Sequence, residues 1–523
     1  MELENTGNDE ITEFGSDTAK GSVMFTISKV ISSVSVFLML IILARLLKPV
    51  DFGLYALAVA FSTTLHAGGN FGMATALRKK LPEHGSSGEI FKMLSNAYAF
   101  SLIVTILIIS IGVGISGFLA NYAYNNPSLV LPLELGAIMI LFSVLFNLTI
   151  SVLTGINVVK GSSYSVIVYS LVQLAASSLL VLYGYGIVGA IVGSMLGLFF
   201  GFLLAAIMTV RKIGFKPVKP EWKGMKELSR FSIPLVASGI SVNGSKSFAV
   251  LVLGLFASAT IVGEYNAAFR VGSFAEVIIT SLAFVLLPAF SKAFSSESLN
   301  KRVSAIFDNS LYYTILFMLP FVIYTISVSK PLMYLFFTST YAETPLYFDF
   351  IIGGILLGIV GSYGSNLVIG YGDTKRTTKY QVSTVLVELA ALIALTPFFK
   401  AYGVLLSIFV IGPVLMDIIY AKALKRSFGV TIGLRRILLL LFASLIVAVF
   451  LFGAAYFIHG KKIILINAAI AIIAYPPLVA LLGGIKKRNI EFIRKVAKKT
   501  GMSIIMGPIL SYASIFVRNQ DRA

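Results

Sequence analysis

Cysteine is absent, tryptophan occurs once, histidine three times, and charged residues make up only 12% of the chain. A soluble domain carries about 25%. Each shortage excludes something. Without cysteine there is no disulfide, thiol nucleophile or thiolate metal site. His66, His84 and His459 are too far apart in the chain for metal-ligand spacing. No nucleophile–base–acid set stands out, so the chain is expected to be neither an enzyme nor the holder of a cofactor or metal. The formal charge of +19 has no basic domain to carry it, which speaks against nucleic acid as a partner. The lack of charge also runs along nearly the whole length, excluding a soluble body on one anchor.

Apolar sequence fills the space. Hydrophobic residues are 57% of 523, and the mean hydropathy is +0.91. At ~20 apolar residues per crossing, fourteen segments qualify: roughly 20–46, 52–76, 93–118, 131–155, 163–183, 186–210, 230–256, 262–288, 309–328, 345–370, 380–398, 402–422, 437–458 and 463–484. The expected fold is an all-α polytopic membrane protein of about 14 transmembrane helices.

Charge supports this parse. Cytoplasmic loops collect Lys and Arg. With the N-terminus inside, 33 of the 42 basic residues fall in inside loops or the tail, against six outside and three within spans. Residues 1–19 carry six acids and no cleavage-site pattern, and are expected to be a disordered tail. After 484, Ile490, Ile493 and Ala497 share one helical face opposite several cations, as in an interfacial amphipathic helix. Residues 502–517 are apolar but short and interrupted by Pro508. The protein is expected in the cytoplasmic membrane with both termini inside.

Short repeats divide the chain. Gly53-Leu54-Tyr55 returns as Gly263-Glu264-Tyr265, an offset of 210, and Tyr185-Gly186-Ile187 as Tyr402-Gly403-Val404, an offset of 217. Two parallel six-helix bundles follow, at 20–210 and 230–422. A basic linker at 211–229 joins them, two added helices occupy 437–484, and a tail covers 485–523.

Ala44-Arg45-Leu46-Leu47-Lys48-Pro49-Val50-Asp51-Phe52-Gly53-Leu54-Tyr55-Ala56-Leu57 resembles the first-to-second helix junction of Wzx-type polysaccharide-biosynthesis flippases, within the multidrug/oligosaccharidyl-lipid/polysaccharide exporter superfamily. Tyr265-Asn266-Ala267-Ala268-Phe269-Arg270, Leu287-Pro288-Ala289-Phe290-Ser291 and Gly370-Tyr371-Gly372-Asp373-Thr374-Lys375 are similar to further segments of that family. The resemblance, from about Gly21 to Gly484, implies alternating access between two six-helix bundles and a lipid-linked oligosaccharide as substrate.

A charge at mid-bilayer costs roughly 3 kcal/mol on insertion scales, so charged groups within spans mark candidate sites. Lys29 and Lys246 fall at comparable places in the first helix of each repeat, and together would make a cationic cavity for a phosphate or pyrophosphate. The rival for Lys29 is a side chain snorkelling to the surface. Arg270 either joins that cavity or neutralises an acid. The 210 offset sets His66 against Glu276, which suits coupling to an H+ or Na+ gradient, with a fixed hydrogen bond as the rival. Glu388 and Gln173 fall at matching depth as polar wall residues, and Asp417 lies near Lys422 and Lys425, an ion-pair spacing.

Other patterns carry less. The run Gly239–Ser247 imitates a phosphate-binding loop but lies inside an apolar helix, and Asn147-Leu148-Thr149 and Asn243-Gly244-Ser245 are glycosylation triplets buried in spans. Gly189, Gly193, Gly197 and Gly201 form a packing ridge, and Pro413 marks a bend. Three functions remain in order: a flippase for a polyprenyl- or dolichyl-linked glycan, a cation-coupled multidrug antiporter, and last a membrane glycan polymerase or glycosyltransferase. The expected partners are the lipid-linked oligosaccharide, membrane lipid and glycan-assembly enzymes, with the protein a monomer.

Overall fold

A computed structural model describes the chain except 1, 70–71, 84–86, 240–243, 295–298, 500–502 and 518–523, with backbone only in stretches such as 2–23, 233–239 and 280–285. His84, the middle of the Gly239–Ser247 run and the side chains of the N-terminal acids lie outside the described residues. Every element described is helical, and the protein is an all-α polytopic membrane protein. Among the described residues nine helical stretches are long and apolar enough to cross a membrane, or ten counting one bent pair.

The chain divides into two units, Met1–Ala267 with Thr396–Ala401, and Ala268–Leu395 with Tyr402–Ala523. The first holds α1 (Glu2–Leu46), α2 (Pro49–Gly69), α3 (Met73–Lys80), α4 (Ser87–Phe118), α5 (Val130–Gly155), α6 (Val159–Leu180), α7 (Gly186–Ile213), α8 (Trp222–Gly239), α9 (Ser245–Phe256) and the start of α10 (Ala259–Phe294). Helix α1 extends through the acidic residues expected to be disordered. Acids at a helix N-terminus are favoured by its dipole, which supports the helix there.

Small residues set the packing of this unit. Helices α6 and α7 double back through a π turn, Val181–Tyr185, where Gly184 takes φ 90°. The glycine ridge then lies along α6: a Cβ on Gly197 would fall 2.7 Å from Gln173 Cβ and 2.8 Å from the Tyr169 carbonyl oxygen, and one on Gly193 would strike the Ser177 backbone. Lipid gives helices no hydrophobic reason to associate, so this close approach supplies the dispersion contacts that do. The repeated tripeptide glycines also meet. A Cβ on Gly53 would collide with the Ala259 carbonyl, and one on Gly263 with that of Pro49. The basic linker is docked on α4: Lys92 pairs with Glu221 at 2.8 Å, and Asn96 Oδ1 accepts the Glu221 N–H at 2.7 Å.

The second unit holds α11 (Leu299–Ser327), α12 (Ser329–Phe336), α13 (Thr344–Gly354), α14 (Ile359–Gly370), α15 (Thr374–Phe399), α16 (Ala401–Leu406), α17 (Gly412–Phe428), α18 (Leu434–Phe457), α19 (Lys462–Leu481), α20 (Lys487–Lys499) and α21 (Ser503–Ile515). Helices α18 and α19 are fastened to α11 by polar clasps. Asn467 Nδ2 donates to Ser327 Oγ at 2.9 Å and to the Leu451 carbonyl at 3.1 Å, and Tyr475 donates to the Leu316 carbonyl at 3.0 Å. Helix α20 departs from expectation: Ile490 and Ile493 join the apolar core of α11, α18 and α19, together with Leu510 and Ala513 of α21. Helix α21 folds back against this apolar face of α20.

The glycine ridge yields a direct test. Gly193→Leu should cost about 1–3 kcal/mol through overpacking and lower the thermal midpoint of the detergent-solubilised protein. Gly114→Leu, with nothing within 4 Å of its Cβ position, should leave the midpoint nearly unchanged.

Candidate functional site

The first unit gathers cations around the C-terminal end of α2. Lys29 on α1 sits over the Phe25 ring, 5.3 Å from its centroid. Arg78 lies on the short helix α3. Lys29 and Arg78 are both exposed side chains. Arg78 is held there because Met73, Ala74, Ala76 and Leu77 bury the other face of α3. Sequence reasoning placed Arg78 in a cytoplasmic loop; the apolar run just before Arg78-Lys79-Lys80 was the available signal.

Register brings two more bases level. A Cβ on Gly254 would meet Leu57, while Gly53 meets the turn around Ala259 and Gly263, so α2 and α9 run antiparallel. Continuing at ~1.5 Å per residue along both helices, His66 comes level with Ser245 and Lys246. His66 Nδ1 is sealed from solvent with no hydrogen-bond partner among the described residues. Lys246 is half-buried in the first turn of α9 and is engaged by its neighbours. Gln173 is 8% exposed between α6 and α7, donating from Nε2 to Ser194 Oγ at 3.2 Å. Glu264 escaped notice in the sequence because it opens a span. It is the one buried Asp, Glu, Lys or Arg among the described residues, at 4% exposed, and it too has partners.

In the second unit Arg270 and Glu276 lie half-buried on α10, and neither is free. Glu388 of α15 reaches the start of α17, where a Cβ on Gly412 would fall 2.6 Å from Glu388 Oε2. Glycine there admits the carboxylate. The π turn Ser407–Ile411 precedes Gly412 and Pro413.

Asp417 corrects an expectation. Helices α13 and α14 form one span bent by 43°, broken at Gly358, whose φ is 87°. A break inside a membrane span leaves backbone N–H groups without helical acceptors. Asp417 Oδ2 accepts the Gly358 N–H at 3.0 Å and Oδ1 the Gly361 N–H at 2.7 Å. The carboxylate caps α14; the lysine pair read from the sequence is replaced by these amides.

Broken helices, π turns and many apolar spans describe a multi-helix membrane protein. The family model described as "Polysaccharide biosynthesis protein" matches residues 18–294, just over half the chain, and the chain belongs to that family. A curated relative from Haloferax volcanii, "Probable low-salt glycan biosynthesis flippase Agl15", is 25% identical over 308 residues. That match takes in 58% of this chain and 62% of the relative, under two thirds of its length. The solved structure "Lipid II flippase MurJ, inward closed conformation" superposes with a TM-score of 0.73 at 17% identity, over 88% of this chain and 98% of that one. An inward-facing multidrug resistance MATE family transporter of the MOP superfamily gives 0.55 at 16% identity, over 77% and 95%. At these identities the two structures establish the shared fold.

The Asp417 cap can be tested directly. Asp417→Ala leaves two amides unpaired and should cost about 1–3 kcal/mol, read as a lower thermal midpoint. Asp417→Asn keeps one acceptor oxygen and should lose less.

Proposed function

We propose that the protein translocates a lipid-linked oligosaccharide, carried on a polyprenyl or dolichyl phosphate or pyrophosphate, from the inner to the outer leaflet of the cytoplasmic membrane. Both termini are on the cytoplasmic side, and fourteen spans carry the chain across. It acts as a transporter, without chemistry on the substrate. The observation that carries this reading is the basic set of the first unit: Lys29 over the Phe25 ring on α1, and His66 level with Lys246 on facing helices. A phosphate crossing hydrocarbon must exchange its hydration for fixed positive groups, because an unpaired charge there is prohibitive. The prenyl chain needs no such provision and stays in lipid. Family membership supports a glycan substrate, and the role in the Haloferax relative's name points the same way.

A cation-coupled drug antiporter would use carboxylates, of which this unit buries one among the described residues, Glu264, as against the basic set above. Of the acids the sequence offered, Asp417 is committed to backbone amides. His66 is the group assigned to proton coupling, since its buried Nδ1 lacks a partner and a change in cavity access would change its charge.

The test is translocation of a short-chain polyprenyl-pyrophosphate oligosaccharide in proteoliposomes containing the full-length protein. Lys29→Ala with Lys246→Ala should reduce the rate at least tenfold, and Arg78→Gln severalfold. A folded double variant working within twofold of wild type would rule out the cationic site. His66→Ala should retain movement down the substrate gradient but lose its acceleration by an imposed pH gradient. Unchanged acceleration would remove histidine from the coupling step.

A further inference from the structure

A second basic site lies in the other unit, away from the groups above in sequence. A cavity of about 770 Å³ opens between α11, the start of α18 and the turn from α19 into α20. Arg435, Arg436, Lys486 and Arg488 line it, with Asn309 and Asn489 among the neutral polar groups. The one carboxylate paired there is Asp308. It accepts the Gly433 N–H at 2.7 Å and takes Arg436 at 3.7 Å. Among the described residues no acid pairs with Arg435, Lys486 or Arg488, so three cations face the cavity uncompensated.

Helix ends add to the field. The first turns of α18 and α20 contain no acid, and both carry arginine. The positive end of a helix dipole disfavours cations, yet two such ends converge on this cavity with basic side chains added. Asn489 is held in place, accepting the Lys486 N–H at 3.2 Å and donating to Tyr313 Oη at 3.0 Å, and Phe492 stacks on Tyr313 at 5.1 Å. The turn is therefore a shaped wall. About one helical turn along α11, Leu316 and Phe317 line a separate apolar cavity of about 360 Å³ with Ile490 and Ile493 of α20.

We propose that the Arg435–Arg488 cavity binds a phosphate ester, with an anionic phospholipid headgroup or a free organic phosphate as its source. Guanidinium groups match phosphate oxygens in paired hydrogen bonds, and basic pockets between membrane helices hold anionic headgroups. The neighbouring apolar cavity is placed to take the first part of an acyl chain. The site stands whether or not the flippase reading holds.

Native mass spectrometry of the full-length protein in mild detergent tests this, comparing phosphatidylglycerol with phosphatidylcholine of the same chains. Wild type should retain one phosphatidylglycerol at least tenfold better. R435Q/K486Q/R488Q should fall to the phosphatidylcholine level, while K461Q/K462Q, at the start of α19, should keep the preference. Displacement by millimolar glycerol 3-phosphate would make the bare phosphate the ligand; retention against it would make the lipid the ligand, and either supports the site. No preference in wild type, or preference kept in a folded triple variant, overturns it. Should the triple variant not fold, R435Q and R488Q singly replace it, and full retention in both overturns the site equally.

Discussion

Hydrocarbon leaves no water to satisfy a peptide group, and the rest of this structure follows from that constraint. Straight helices meet it by themselves. Hydroxyls in the spans meet it by bonding back to their own helix, as Ser116 does to the Gly112 carbonyl and Ser165 to that of Gly161. Where the helix fails, a side chain must take over. At Gly358 the left-handed backbone ends α13–α14 as a continuous rod, and Asp417 receives the two amides set free. An acid in a membrane span is costly, but here its oxygens already have donors. The same rule explains Asn467, fully buried and donating to both Ser327 and the Leu451 carbonyl.

Charge obeys a parallel rule: buried ions persist only with partners or with work to do. Asp417 has partners. Lys29 and Arg78 avoid the question by lying exposed, Lys29 over the Phe25 ring. Glu264 shows how much depends on context, for it is more deeply buried than any of these cations and still has neighbours that hold it.

Composition alone made the fold class legible, because no soluble protein can carry so little charge. Packing was legible wherever it depended on one residue type at one spacing: the ridge Gly189, Gly193, Gly197 and Gly201 does press α7 onto α6. Contacts made by distant pairs were not legible. Asp417 lies five and eight residues from Lys422 and Lys425, so sequence proximity suggested an ion pair; its true donors are 59 and 56 residues away. Arg78 was hidden because a basic loop and a short amphipathic helix look alike until the helix packs. The apolar face of α20 was visible, but periodicity does not say whether lipid or protein covers it.

The internal repeats sharpen the point about Asp417. At the offset of 217, its position in the first repeat is Phe200, and the glycine ridge positions 193, 197 and 201 correspond to Val410, Val414 and Ile418. The first repeat therefore has the ridge and lacks the acid; the second has the acid and lacks the ridge. Backbone follows side chain. The first repeat's α5 runs unbroken from Val130 to Gly155, and α7 is straight enough to lie along α6 through four glycines. In the second repeat α13 and α14 meet at 43°, and the span Ala401–Phe428 carries a π turn at Ser407–Ile411. A π turn and a glycine break are places where a helix can change direction without losing a full set of hydrogen bonds. Asp417 thus makes the Gly358 joint tolerable inside a membrane by receiving the two amides that the break sets free.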